Sequence, residues 1–242
     1  MLITDITMIE FEEGLKHTRT IILPFGSIEE HGPHLPLGTD TMQMYEIARM
    51  VAKKYPVFVG PPVFYGLCRS TREHPGTISI SGQTLRGLVL DMLFSYYHQG
   101  LRNFLLFSGH AGGTHLSFIL DAAEEFLEKT KDTRLAVASI LDLLNMSAAD
   151  MLETPKDSHA GEFETSLMLY FFPDLVKGTA PEEYPSFPKP FLVRNKRKFW
   201  PGGVWGNPAK ASAYKGKLFA EKLSDFIIEL IEKIENIEED KT

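Results

Sequence analysis

The sequence predicts an α/β fold, a single three-layer α/β/α domain over residues 1–242 with a mostly parallel sheet. Three observations lead there. Short apolar, β-prone runs alternate with segments of helical periodicity, which implies parallel strands covered by helices on both faces. No internal repeat or low-complexity tract interrupts the alternation. At 242 residues, 43% hydrophobic and 24% charged, the chain also has the size and composition of one large domain.

The first strand is Thr20–Leu23, inside an apolar run that continues through Pro24 and Phe25. It opens into Glu29-Glu30-His31-Gly32-Pro33-His34-Leu35-Pro36-Leu37-Gly38-Thr39-Asp40, a turn-rich loop carrying carboxylates and imidazoles. The second strand is Val57–Gly60. A helix over Thr84–Gln99 presents Leu85, Leu88, Val89, Met92, Leu93 and Tyr96 as one stripe, and Gly100 supplies its C-cap. The third strand, Asn103–Phe107, runs into the glycine-rich turn Ser108–His115. A helix over Thr114–Lys129 follows, then a fourth strand at Leu135–Ile140. Asp157 or Ser158 is placed to cap a helix through Leu167-Met168-Leu169-Tyr170, with His159 at or before its first turn. Prolines between Pro181 and Pro190, then Pro201-Gly202-Gly203, mark a long irregular loop of the kind that is often functional. A last helix covers about Ala209–Asn236.

Bulk properties narrow the function. A formal charge of −7 argues against a nucleic-acid partner, which needs a basic face. The basic run Arg194-Asn195-Lys196-Arg197-Lys198 reads as a solvated loop. Cys68 stands alone, which excludes an intrachain disulfide and a cysteine-based zinc site; it reads as a buried or incidental thiol. Met1–Glu13 has no basic start and apolar core, so it is not a signal peptide. No apolar run approaches the ~20 residues of a membrane span. The expected compartment is the cytoplasm, with no membrane partner.

The chemistry concentrates at strand ends. Glu29 and His31 are two residues apart, so in extended chain they share a side, and Asp40 can fold back onto the same spot. The glycines around His110 let backbone approach a ligand closely, and the helix after them offers amides to an anion. In open α/β sheets ligands gather beyond the carboxyl ends of strands. Both loops leave such ends, so a metal-dependent hydrolase is the first hypothesis.

These segments together resemble the creatininase family of amidohydrolases, from about Leu23 to Ser212. The resemblance rests on Gly26–Pro36 with Asp40, on Gly109-His110-Ala111-Gly112-Gly113 and on His159-Ala160-Gly161-Glu162-Phe163-Glu164-Thr165-Ser166. Glu73–Ser79 and Gly203–Pro208 add weaker support. It implies a creatininase-like fold and two divalent metal ions per chain, drawn from zinc, manganese and iron(II). By position, Glu29 and His110 would bind one ion, His31 and Glu164 the other, and Asp40 both. A bridging hydroxide would neutralise this centre and act as nucleophile. The implied reaction cleaves a C–N bond of a small amide substrate. His159 would pass a proton to the leaving nitrogen or, alternatively, orient a ligand by hydrogen bonding. Amides around Gly112 and Gly113 would hold the oxyanion. Trp205 either lines the substrate pocket or packs on the core.

Members acting on creatinine carry a glutamate two residues after the Gly-His pair, where this chain has Gly112. They also hold the creatinine ring with tryptophans near the third motif, and Asp142–Ser158 contains none. A creatinine ring would therefore lose its stacking surfaces. The expected substrate is a small cyclic amide or formamide. The glycine-rich motif looks more like deformylases of formylamino-pyrimidine nucleotides and peptidases trimming a precursor peptide, and the basic run would suit a phosphorylated substrate. A non-catalytic member binding metal or metabolite is the remaining alternative. The resemblance further implies a homo-oligomer, commonly a hexamer, with apolar residues of Pro181–Trp200 as interface material. His34 is left out of the site. His74 and His115 are expected to be structural, and His17 and His98 to lie at the surface.

Overall fold

The computed structural model describes residues 1–237. Four strands, β1 (Thr20–Phe25), β2 (Phe58–Val59), β3 (Asn103–Ser108) and β4 (Arg134–Ser139), form a parallel sheet in the order β2-β1-β3-β4. β1 and β3 pair from Thr20–Asn103 to Phe25–Ser108, and β3 pairs with β4 from Asn103–Arg134 to Ser108–Ser139. β2 touches β1 only at Ile21–Phe58 and Ile22–Val59. It is shorter than Val57–Gly60 because Pro61 and Pro62 follow at once and cannot donate to a ladder. The predicted α/β/α architecture is the observed one.

Helices cover both faces: α1 (Met8–Gly14), α2 (Thr39–Lys54), α3 (Gly82–His98), α4 (Gly113–Lys129), α5 (Ile140–Ser147), α6 (Glu162–Phe171) and α7 (Ala213–Asn236). Strand side chains alternate between two cores, as the two-residue strand period requires. Ile22, Leu105 and Phe107 pack with α2, α5, α6 and α7 through Met44, Ile47, Leu143, Phe163 and Phe219. Ile21, Leu23, Phe104 and Leu106 pack with α3 and α4 through Leu85, Val89, Leu93, Ile119 and Phe126.

Sequence periodicity did not anticipate α1, α2 or α5. In α2 the apolar residues Met44, Ile47, Ala48 and Val51 are at helical spacing, but the turn residues before Thr39 obscure its start. β4 ends one residue before Ile140 because Ser139 caps α5. Its hydroxyl accepts from the Asp142 amide at 3.1 Å, and the Asp142 carboxylate accepts from the Ser139 amide at 2.8 Å, a reciprocal box. α7 starts at Ala213 rather than Ala209, since Pro208–Lys210 makes a separate turn and Ser212 provides the cap.

β1 leads to β2 on one side, while β3 lies on the other. The chain therefore reverses direction across the sheet at the carboxyl ends of β1 and β3, and a crevice opens there. Gly109 makes the crossing tight: a Cβ on it would overlap the carbonyl of Asp40. Among the described residues no helix is long and apolar enough to cross a membrane.

Candidate metal centre

The loop after β1 carries Glu29 and His31. Asp40 sits in the first turn of α2, where the helix dipole favours a carboxylate. His110 lies between β3 and α4, and Glu164 in the first turn of α6. All five side chains are buried, and the fold brings them together around Asp40. His31 Nε2 is 3.0 Å from Asp40 Oδ1 and 3.6 Å from Glu164 Oε2. His110 Nδ1 is 2.7 Å from Glu29 Oε2 and 3.3 Å from Asp40 Oδ2. The two oxygens of Asp40 thus face different histidines.

Each histidine has its other nitrogen committed. His31 Nδ1 donates to the carbonyl of Glu29 at 3.1 Å, and His110 Nε2 to the carbonyl of Leu67 at 3.3 Å. A carbonyl can only accept, so in each neutral ring the nitrogen facing the carboxylates is a lone pair. A lone pair aimed at carboxylate oxygens repels them unless a cation lies between. Without a metal that cation is a proton. Although burial opposes it, the charges of Asp40 and Glu164 push His31 up to about 10. Glu29 and Asp40 hold His110 well above its ordinary value. A divalent ion at either position replaces the proton, so nitrogen and oxygen donors with carbonyl-fixed tautomers fit such ions.

Supporting hydroxyls and amides complete the cradle. Ser27 Oγ donates to Asp40 Oδ2 at 2.6 Å, Thr71 Oγ1 donates to Glu29 Oε1, and the Ala160 amide donates to Glu164 Oε2 at 2.6 Å. Gln43 Nε2 reaches Glu164 Oε1 at 3.4 Å. Sequence reasoning missed Ser27, Thr71 and Gln43. Ser27 lay within the first motif, whereas Thr71 and Gln43 had no local signal. Cys68 is buried as expected, yet it is not remote. Its sulfur lies within 4.8 Å of donor atoms of Glu29 and His110, and burial pushes its thiol up to about 12.

His159 precedes α6 and stands beside His31, their ring centroids 4.2 Å apart. Its Nε2 donates to the carbonyl of Glu30 at 2.8 Å, which leaves Nδ1 as the acceptor. Burial and the charge of His31 oppose protonation, but Glu30, Glu29 and Glu164 raise its pKa. Ala160 and Gly161 precede the helix. Neither Asp157 nor Ser158 is the cap residue, which is Gly161. The Asp157 carboxylate nonetheless accepts from the Glu162 and Phe163 amides at 2.7 and 2.9 Å.

Above Glu29, Asp40, His110 and Glu164 opens a cleft of about 630 Å³. Gly112, Gly113, His159 and Trp205 all line it, while His31 lies beneath. Trp200 lines it too, its ring centroid 5.2 Å from that of His159 and 6.0 Å from that of Trp205. The cleft therefore has tryptophan walls, supplied by a segment different from the one sequence comparison pointed to. His34 bonds Thr165 Oγ1 at 2.9 Å, His74 Nε2 donates to the carbonyl of Trp200 at 2.7 Å, and His115 accepts from the Leu67 amide at 3.2 Å. These three brace the loops.

Residues 4–231 match the family model Creatininase, described as creatinine amidohydrolase. Creatinine amidohydrolase of Pseudomonas putida is 29% identical over 221 residues, covering 83% of this chain and 84% of that protein. A mycofactocin precursor peptide peptidase of Mycolicibacterium smegmatis is 30% identical over 225 residues, covering 84% and 81%. The 3-dehydro-scyllo-inosose hydrolase of Thermotoga maritima is 28% identical, covering 94% and 81%. Among solved structures, a manganese creatininase superposes with a TM-score of 0.83 at 26% identity, over 96% of this chain and 98% of the other.

Proposed function

This chain belongs to the creatininase family, and from that premise we propose that it is a dinuclear metal-dependent amidohydrolase opening a C–N bond in a small cyclic amide or a formamide. The observation that carries the reading is the pair of carbonyl-fixed histidines turned onto opposite oxygens of Asp40. Glu29 and His110 would hold one ion, His31 and Glu164 the second, and Asp40 both. Relatives described as a manganese creatininase and a Zn-Zn creatininase variant support ions of this class. When bound, such ions supply a hydroxide nucleophile near neutral pH and a Lewis acid for the carbonyl.

The chain's own groups do the rest. His159, held through Nε2 by the Glu30 carbonyl, offers Nδ1 to exchange a proton with the leaving nitrogen. The first-turn amides of α4 have no intrahelical acceptors, and Gly112 and Gly113 expose them to the cleft, where they favour a developing oxyanion. Trp200 and Trp205 wall one side and keep water from it. A peptide amide is the second reading, favoured by the 30% identical precursor peptide peptidase. We also infer one domain that works as a homo-oligomer; Phe191 and Leu192, 75% and 97% exposed, are apolar enough to suit an interface.

Metal analysis and turnover test the reading together. The full chain is expected to hold about two equivalents of divalent metal, to lose them in Asp40→Ala, and to hydrolyse members of a formamide, lactam and dipeptide panel with added manganese, zinc or iron(II). Stoichiometric metal with no hydrolysis across the panel would leave a binding protein and refute the enzyme.

A further inference from the structure

The floor of the cleft is acidic, but its rim is not. Arg69, Arg72, Arg194 and Lys196 all line it. They come from two segments remote in sequence, Leu67–Glu73 and Leu192–Trp200. Several cations elsewhere are paired: Lys54 with Asp225, Arg86 with Asp121 and Glu125, and Lys215 with Glu153 and Glu162. None of the four rim cations has a carboxylate within 4.0 Å among the described residues, although Glu73 lines the same cleft. Lys196 is half-buried. Burial lowers its pKa, and the neighbouring charge of Arg69 lowers it further.

Like charges gathered on one rim, none of them in contact with a carboxylate, keep part of their mutual repulsion. An anion entering between them offsets it. Arginine forks suit oxyanions in particular, because their N–H groups match two oxygens at once. Arg194, Asn195, Arg197 and Lys198 of the basic run are exposed, as a solvated loop requires, and Arg197 and Lys198 do not line the cleft.

We propose that Arg69, Arg72, Arg194 and Lys196 form an anion subsite at the mouth of the cleft, and that the amide substrate carries a phosphate or carboxylate group bound there. The subsite steers the substrate and anchors its far end, while its C–N bond lies over Glu29, Asp40 and Glu164. This assignment of substrate class rests on the amidohydrolase reading above, but its binding step is measurable without turnover.

Calorimetry on the manganese-loaded full chain would compare phenyl phosphate, benzoate and phenol, none of which has an amide to cleave. At least one anion is expected to bind ten-fold or more tightly than phenol, and the tighter of the two identifies the group. Arg69→Gln/Arg194→Gln and Lys196→Gln should each weaken that anion at least five-fold, while Arg197→Gln leaves it unchanged. Raising salt from about 0.02 M to about 0.5 M should narrow the gap, as rim charges are screened. Equal binding of anions and phenol, or anion binding untouched by the rim substitutions, would overturn the subsite. In parallel, formanilide would be compared with its 4-carboxylate and 4-phosphate derivatives. A lower KM for the anionic members, lost in the rim variants, supports the assignment. Rim-dependent anion binding with no hydrolysis of these three or of the formamide, lactam and dipeptide panel would sink the amidohydrolase reading and spare the subsite.

Discussion

At the scale of single residues, His110 is held by what is missing beside it. A Cβ on Gly112 would fall inside van der Waals contact of His110 Nε2, whereas one on Gly113 would meet nothing within 4 Å. Gly112→Ala should therefore turn the His110 ring away from Glu29 and Asp40 and weaken metal binding ten-fold or more, as measured by competition with a chelator. Gly113→Ala should leave it intact; equal behaviour of the two would show that the ring does not depend on that space. His159 makes a separable prediction. It reaches the site through Nδ1 while its Nε2 is tied to the Glu30 carbonyl. His159→Ala should lower kcat by about 10²–10⁴ with metal content unchanged. If metal is lost in parallel with rate, His159 is a ligand and not a proton carrier.

At the scale of elements, α6 shows how a helix aims a ligand. Asp157 ties its first amides, and Glu162 ties its start to neighbouring chain. The buried Glu162 carboxylate accepts from the Thr154 amide at 2.7 Å and from Lys215 Nζ of α7 at 2.7 Å. Burial pushes Glu162 up, but Lys215 and the Glu153 and Thr154 amides more than offset it and hold it below its ordinary 4.5. A carboxyl depressed on folding stabilises the native state above its unfolded pKa and stops doing so as pH falls through the folded value. Glu162→Gln should therefore cost about 2 kcal/mol near neutrality, read from urea unfolding, and the gap from the parent should close as pH drops below about 4.5. A gap independent of pH would mean the charge is not what matters. The start of α6 also marks where sequence reading ran out. The histidine and carboxylates stood in a recognisable string, but the break at Ala160, with φ of 48°, depends on contacts made by Asp157 across the turn. Likewise Met44, Ile47 and Val51 carried the period of α2, yet the prolines and glycines ahead of it hid where the helix began.

At the scale of the whole molecule, the strand order converts sequence separation into proximity. Strand ends and motif strings were legible because they are local: β1 points to Glu29 and His31, β3 to His110. The braces and the rim were not, because nothing in the chain links Thr71 to Glu29 or Arg69 to Arg194 until β2 crosses to one side of β1 and β3 to the other. This convergence leaves Glu29, Asp40 and Glu164 buried around two histidines, an arrangement that folds only if cations compensate it. Divalent ions bound to the native state alone would add RT ln(1 + [L]/Kd) to its stability, about 2.7 kcal/mol at a hundred-fold excess over Kd. For a chain of this size that corresponds to a Tm rise of about 5–10 °C. Chelation should lower Tm by that amount in the parent and leave Asp40→Ala almost unmoved, since the substitution removes the group facing both histidines. A metal-free parent whose melting ignores chelator would mean that protons alone hold this centre together.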